Sequence, residues 1–351
     1  MLALDVLTHT RMRQSFVVWT LLGCACGGIA NTEDAGVGPV DAHAEATTAD
    51  VADASCTMPC TTTPPSQAAC IDGRCVVTLA THHEWPQELV ADESFVYWFD
   101  EASSSSAIVR VPTGGGAPAV LASGVLVSSL TSDVGSLYWT EALSGDVMKM
   151  DKTGSVPSPV VGNAQATQAP HGIAVDGTSV YWIANTGVIT IRKAPLGGGA
   201  PVDLVTAPSL VFAIAIDSTH LYWTTQAGLF SANLDGTNVA EIAAPGPIAS
   251  LGVVDETVYW GRDDDVYATA LDGSSLSIAH FASTVEADVA LDSTSIYLST
   301  SEPILRRVSL DGKTSEKLAP ALAHHIALNS THVFWTDILQ GGVGVIMATP
   351  K

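Results

Sequence analysis

Positive charge is what this chain lacks most. Lys and Arg together number 14 against 36 Asp and Glu, a formal charge of −22. Phosphate backbones repel such a chain, which argues against nucleic acid as a partner. Charged residues of both signs make up only 14%, where about a quarter is usual for a soluble domain. No apolar run reaches the roughly 18 residues that a membrane-spanning helix needs. There is no H-E-x-x-H, no G-x-S-x-G and no comparable motif, so no catalytic residue, metal site or cofactor is assigned. All six cysteines lie before residue 76, and the rest of the chain is left to fold without disulfides.

The N-terminal segment has the anatomy of an export signal. Arg11 and Arg13 precede the apolar run Phe16-Val17-Val18-Trp19-Thr20-Leu21-Leu22, which ends at Gly23-Cys24. Leu21-Leu22-Gly23-Cys24 resembles a bacterial lipobox. That resemblance implies a signal peptide over 1–23, acylation of Cys24, and a mature protein lipid-anchored to a bacterial membrane, periplasmic or at the cell surface. Cys26 is the alternative acylation site, and an ordinary export signal is the rival reading. Residues 27–55 contain no Lys or Arg and are rich in Ala, Gly, Asp and Thr; nothing there supplies an apolar face, so 24–55 reads as a lipidated, flexible acidic tether. Cys56, Cys60, Cys70 and Cys75 follow, interspersed with Pro and Gly. In an exported chain this spacing predicts two disulfides in a small knot over 56–75. All three pairings stay open, with a zinc site as the rival.

Repetition defines the remainder. Asp92…Tyr97-Trp98 recurs as Asp133…Tyr138-Trp139, Asp176…Tyr181-Trp182, Asp217…Tyr222-Trp223 and, one residue shorter, Asp255…Tyr259-Trp260. Asp292…Tyr297-Leu298 and Asn329…Phe334-Trp335 complete seven copies, with six intervals over 237 residues. In each unit an apolar strand leads into the Asp, a polar turn follows, and the Tyr-Trp strand comes next. A third strand then runs into a turn such as Asp235-Gly236, Asp272-Gly273 or Asp311-Gly312, whose Gly supplies positive φ, and a fourth strand ends the unit. Four short strands per repeat of this length make the blade of a β-propeller. Triplets such as Leu137-Tyr138-Trp139 are apolar on both faces, as blades sandwiched between blades require. The fold expected over 76–351 is therefore an all-β, seven-bladed β-propeller. The seventh unit runs out of chain after its third strand. Val76-Val77-Thr78-Leu79-Ala80 has a fourth-strand pattern and no blade of its own, so it is expected to close the last blade.

The Tyr-Trp repeats resemble those of YWTD propellers, most closely at Tyr138-Trp139-Thr140-Glu141, Tyr222-Trp223-Thr224-Thr225 and Phe334-Trp335-Thr336-Asp337. Pro170-His171-Gly172-Ile173-Ala174-Val175-Asp176-Gly177 is similar to repeats of NHL propellers and of seven-bladed streptogramin lyases. The first two resemblances imply a protein-binding scaffold and the third an enzyme; fold alone does not choose.

Function in a repeat protein is expected where the repeat breaks. The marker Asp residues read as turn acceptors and the Tyr-Trp pairs as wedges between blades. The loops that enter the first strand and leave the second gather His171, His324, His325, Glu88, Asp288, Asp263, Asp264 and Asp265 at one end of the ring, and these form the candidate binding face. His82, His83, Asp100, Glu101, Glu141 and Asp337 belong to the same set of loops. Three classes follow: a surface lipoprotein whose propeller binds a protein or other macromolecule with a basic surface, a metal-dependent lyase or lactonase-like propeller enzyme using His171 and channel carboxylates, and a structural envelope component.

Overall fold

Every Tyr-Trp strand lies second in an antiparallel sheet, and there are seven such sheets. The computed structural model describes residues 68–102, 106–162, 168–185, 187–243, 250–263, 265–281, 289–339 and 343–351. Cys24, Cys26, Cys56, Cys60, Asp264 and Asp288 lie outside them, as do the segments expected to form a signal peptide and tether. Among the described residues there is no helix.

Blade 1 comprises Pro86–Ala91, Phe95–Asp100, Ala107–Pro112 and Ala119–Ser123, from the axis outwards. Blades 2 to 6 repeat this order, beginning at Val127, Gln168, Val211, Leu251 and Ala290. The innermost strands neighbour one another in sequence, and the last, Ile326–Leu328, returns to Pro86–Ala91, so the ring is closed. The protein is a seven-bladed β-propeller.

The Tyr-Trp strands hold the blades together because both of their faces are covered. Val96, Tyr97, Trp98 and Phe99 are consecutive and all buried. Trp98 faces blade 7, sharing a cluster with Leu79, Phe334 and Ile346. Tyr97 faces blade 2, in a cluster with Leu130, Leu137 and Trp139. The relation repeats around the ring: Tyr138 with Trp182, Tyr222 with Trp260, Tyr259 with Leu298, and Tyr297 with Trp335. Each aromatic of this kind contributes the largest apolar areas available to a side chain.

Blade 7 contains both ends of the propeller. Ile326–Leu328, His332–Leu339 and Val343–Pro350 are followed outwards by Arg74–His83, which runs antiparallel to Val343–Pro350 with Val77 opposite Ala348 and Thr78 opposite Met347. Val76, Val77, Leu79 and Ala80 are all buried there; burying a Val or Leu side chain is worth about 1.5–3 kcal/mol. The expected closing strand is thus present, and it extends further than 76–80. A fifth strand, Ala68–Ile71, pairs with its outer edge through a two-residue turn at Asp72-Gly73, where φ is 51° and 80°. Positive φ at both residues is the type I′ hairpin geometry that Asp-Gly favours. The sheet therefore begins at Ala68, inside the range read as a separate knot. Cys70 and Cys75 stand opposite each other in this hairpin, and both are disulfide-bonded.

Candidate functional site

The end of the ring that carries the first hairpins is occupied by its own repeat. In blades 1, 2, 3, 4 and 6 the marker Asp Oδ1 accepts the N–H groups two and three residues on at 2.6–3.0 Å. Its Oδ2 accepts the Tyr hydroxyl five residues on at 2.7–3.0 Å. Burial pushes these carboxyls up, but the hydrogen bonds outweigh it, and Asp92, Asp133, Asp176, Asp217 and Asp292 all end below the usual carboxylate range. Burial, reinforced by the carboxylate acceptor, raises the Tyr hydroxyls, Tyr297 to about 12. Blade 5 departs from the pattern: Val254 pairs with Thr257 across a two-residue turn in which Asp255 and Glu256 both have positive φ. These carboxylates are structural.

The opposite end carries the candidate face, and the structure spreads its residues over several blades. Glu88 sits at a bulge in the first strand of blade 1, with φ 54°, and its Oε2 accepts the Leu130 N–H of blade 2 at 2.9 Å. It ties two blades together. His171 lies opposite Ile183 beside a bulge at Gly172, which stands in blade 3 where Glu88 stands in blade 1. Gly172 has φ 57°, and a Cβ there would meet Ile183 Cδ1 at 2.6 Å. His324 and His325 extend the first strand of blade 7: the His324 N–H donates to the Thr336 carbonyl at 3.1 Å, and the Thr336 N–H to the His325 carbonyl at 3.0 Å. Asp337 follows on the neighbouring strand. Burial raises its carboxyl, against the Ile338 N–H and the charge of His324. Asp263, with φ 53°, is exposed beside Arg262 in blade 5. Asp265 turns to the outer strand instead, where Ser277 Oγ donates to it at 2.8 Å and His280 Nδ1 stands at 3.4 Å. Among the described residues, no three His, Cys, Asp or Glu side chains form a group that could hold a metal.

A different pair is brought together. His83, at the end of the closing strand, places Nδ1 2.6 Å from Oδ2 of Asp100, at the end of the blade 1 Tyr-Trp strand. The His83 ring meets Trp98 edge to face at 4.9 Å. His83 Nε2, Asp100 Oδ1 and Trp98 Nε1 are all buried without a hydrogen-bond partner. Blade 2 shows the contrast, because there Trp139 Nε1 donates to Glu141 Oε2 at 3.3 Å. Asp100 occupies the position of Glu141 but is one methylene shorter, and it takes the imidazole instead of the indole. Both residues stood among the loop residues noted from sequence; only ring closure makes them neighbours.

The cations show a second pattern that the sequence did not reveal. Removing Arg11 and Arg13 leaves twelve Lys and Arg, and each is engaged by the propeller itself. Arg110, Lys149, Lys193 and Arg306 stand over Phe95, Tyr138, Tyr181 and Phe281. Lys152 and Lys351 reach Asp92 and Asp292, Arg192 reaches Asp203, and Arg262 stands over Trp260 and Tyr267. Arg74 and Arg307 share Glu316, Lys313 pairs with Asp311, and Lys317 with Asp72.

No known family model matches the chain, and no curated protein matches it. Solved structures do. An oligogalacturonate lyase from Vibrio parahaemolyticus is 10% identical over 80% of this chain and 94% of its own, with a TM-score of 0.64. An oligogalacturonate lyase in complex with manganese is 12% identical over the same shares, at 0.63. A chain of the mitotic checkpoint complex is 13% identical over 77% of this chain and 93% of its own, at 0.57. At these identities the likeness is one of fold, the β-propeller.

Proposed function

We propose that this chain is an exported scaffold, anchored through lipid at Cys24, whose propeller binds a macromolecular partner with a basic surface. One observation carries the reading: all twelve Lys and Arg outside the leader are engaged internally, so the propeller's surplus carboxylates face a partner with no cations of their own chain to neutralise them. The hairpin end repeats one Asp–Tyr arrangement in five of its seven blades. The opposite end varies two residues past the marker pair, where Asp100, Glu141, Ala184, Thr225, Arg262, Thr300 and Asp337 stand in blades 1 to 7, and variable loops on a rigid frame suit recognition. Binding of this kind weakens as salt rises.

The test is rebinding of a purified partner, first captured on the full chain. Charge reversal at Glu101, Asp263 and Asp337 is expected to abolish rebinding, while reversal at Asp235, Asp272 and Asp311 in the opposite hairpins leaves it intact. Equal loss in both sets sinks the assignment of the face. For the anchor, fatty-acid labelling is expected in the wild type and absent in Cys24→Ala; loss in Cys26→Ala alone moves the site to Cys26.

The His83–Asp100 pair favours a second reading, a propeller enzyme. With Nδ1–H donated to the carboxylate, Nε2 is the nitrogen left to take a proton. Turnover of a lactone or uronide that disappears in His83→Gln would replace the scaffold reading.

A further inference from the structure

Six tryptophans occupy the marker position of the blades, and all six are buried. Trp85 does not belong to the repeat, and it is 43% exposed. An exposed apolar side chain means little by itself; its surroundings distinguish this one. Trp85 lies between the closing strand and blade 1, and its carbonyl accepts the Glu101 N–H at 3.1 Å. This extends the ladder in which Pro86 faces Asp100 and Gln87 faces Phe99, so Trp85 and Glu101 are cross-strand partners on one face of the sheet. Gln87, two residues on, shares that face, and its Nε2 donates to Glu101 Oε2 at 2.7 Å. Glu101 is thereby held beside the indole. Exposed Glu84 precedes Trp85 in the chain.

The same molecule shows what such an arrangement receives. Its own guanidinium groups stand over indoles at 5.9 Å in Arg192–Trp182 and 5.5 Å in Arg262–Trp260. Among the described residues no Lys or Arg stands over Trp85, and every one of those cations is engaged elsewhere. The negative face of an aromatic ring beside carboxylates attracts a cation, and guanidinium adds planar stacking.

We propose that Trp85, with Glu101 and Gln87, is a subsite for an arginine side chain of the partner, the anchor point of the interface. This rests on the basic-partner reading above and locates its centre at the junction of the closing strand and blade 1. Tryptophan and arginine are the residues in which interface energy concentrates, and here the ring and its carboxylate are held in place by the sheet before any partner arrives.

The probe is a labelled Arg-Gly repeat peptide titrated into the full chain at low salt, with a Glu-Gly peptide for comparison. The Arg-Gly peptide is expected to bind and the Glu-Gly peptide not. Trp85→Ala is expected to weaken binding about tenfold, the scale of a partly desolvated cation–π contact, while Trp85→Phe keeps most of it and both variants melt as the wild type does. If Trp85→Ala binds like wild type while reversal at Asp263 and Asp337 abolishes binding, the subsite is overturned and the wider face stands. If instead reversal at Asp235, Asp272 and Asp311 abolishes binding, or the peptide fails to bind the wild type, the face and the subsite both fall.

Discussion

Asn329 and Phe334 both depart from the Asp–Tyr pair of the other blades. In five other blades a carboxylate accepts a tyrosine hydroxyl across the same five residues; here the ring has no hydroxyl and the turn residue has no charge. Asn329 Oδ1 keeps the turn, accepting the N–H groups of Thr331 and His332 at 2.9 and 2.7 Å. Its Nδ2 donates to the Asp92 carbonyl of blade 1 at 3.4 Å, a bond that a carboxylate cannot make.

A double-mutant cycle tests that coupling. Phe334→Tyr alone places a buried hydroxyl without its carboxylate, and Asn329→Asp alone gives up the amide's bond to blade 1. Each is expected to destabilise by about 1 kcal/mol, and the double variant by less than the sum. Denaturant unfolding measures it; strict additivity would show that the two positions vary independently.

Closure by Arg74–His83 predicts an asymmetry between two apolar truncations. Leu79, 1% exposed in the seam, is expected to lose about 2–5 kcal/mol as Leu79→Ala. Val120, 64% exposed on the outer strand of blade 1, is expected to lose under about 0.5 kcal/mol as Val120→Ala. Similar midpoints for the two variants would refute the role given to the seam.

The Asp–Tyr units contribute to stability at both ends of the pH range. The marker carboxyls lie below their unfolded value, so their contribution is complete above about pH 4 and is lost as pH falls through the folded pKa values. The paired tyrosines lie above theirs. Their contribution is complete below about pH 10 and is lost as pH rises, through about 12 for Tyr297. Asp176→Asn is expected to lower the neutral plateau and to shrink the acid-side loss correspondingly, since the ionised carboxylate's contribution is gone at every pH. Phenolate absorbance is expected to lag until alkaline unfolding; early titration of the five paired tyrosines would contradict the buried pairing.

Lengthening one side chain tests the arrangement at His83. Asp100→Glu is expected to let the carboxylate reach Trp98 Nε1, as Glu141 reaches Trp139, and to move the indole N–H resonance of Trp98 downfield. His83→Ala strands a buried carboxylate and is expected to cost about 1–3 kcal/mol. An unmoved Trp98 resonance in the first variant would show that the indole is shielded from that position.

The ring was legible because its signals repeat. The marker Asp, the Tyr-Trp pair and the Gly turns each recur in register, and a missing fourth strand at one end matched a surplus strand at the other. Blade number and closure follow from those residues. The face was less legible. Glu88 appeared as a free carboxylate, yet a bulge turns it onto the N–H of the next blade; Asp265 appeared as part of an acidic run, yet its strand points it outwards to Ser277. Both outcomes depend on local backbone departures that leave no periodic trace. Arg74 and Glu316 are 242 residues apart, and no pattern along the chain joins them.

The closing strand also constrains the order of assembly. Val77 is among the first residues of the propeller to be made, and Ala348 among the last, yet they are partners in one sheet. Holding ends this far apart adds little entropy beyond that of a shorter loop, but it imposes a delay. As the chain emerges, blades 1 to 6 can form from contiguous sequence, while Arg74–His83 waits with its edge unpaired until the final strand arrives. The hairpin of Ala68–Ile71 and Arg74–His83, made before the six complete blades, is the last to find its place, and the nascent chain is most exposed to association with its neighbours through that interval.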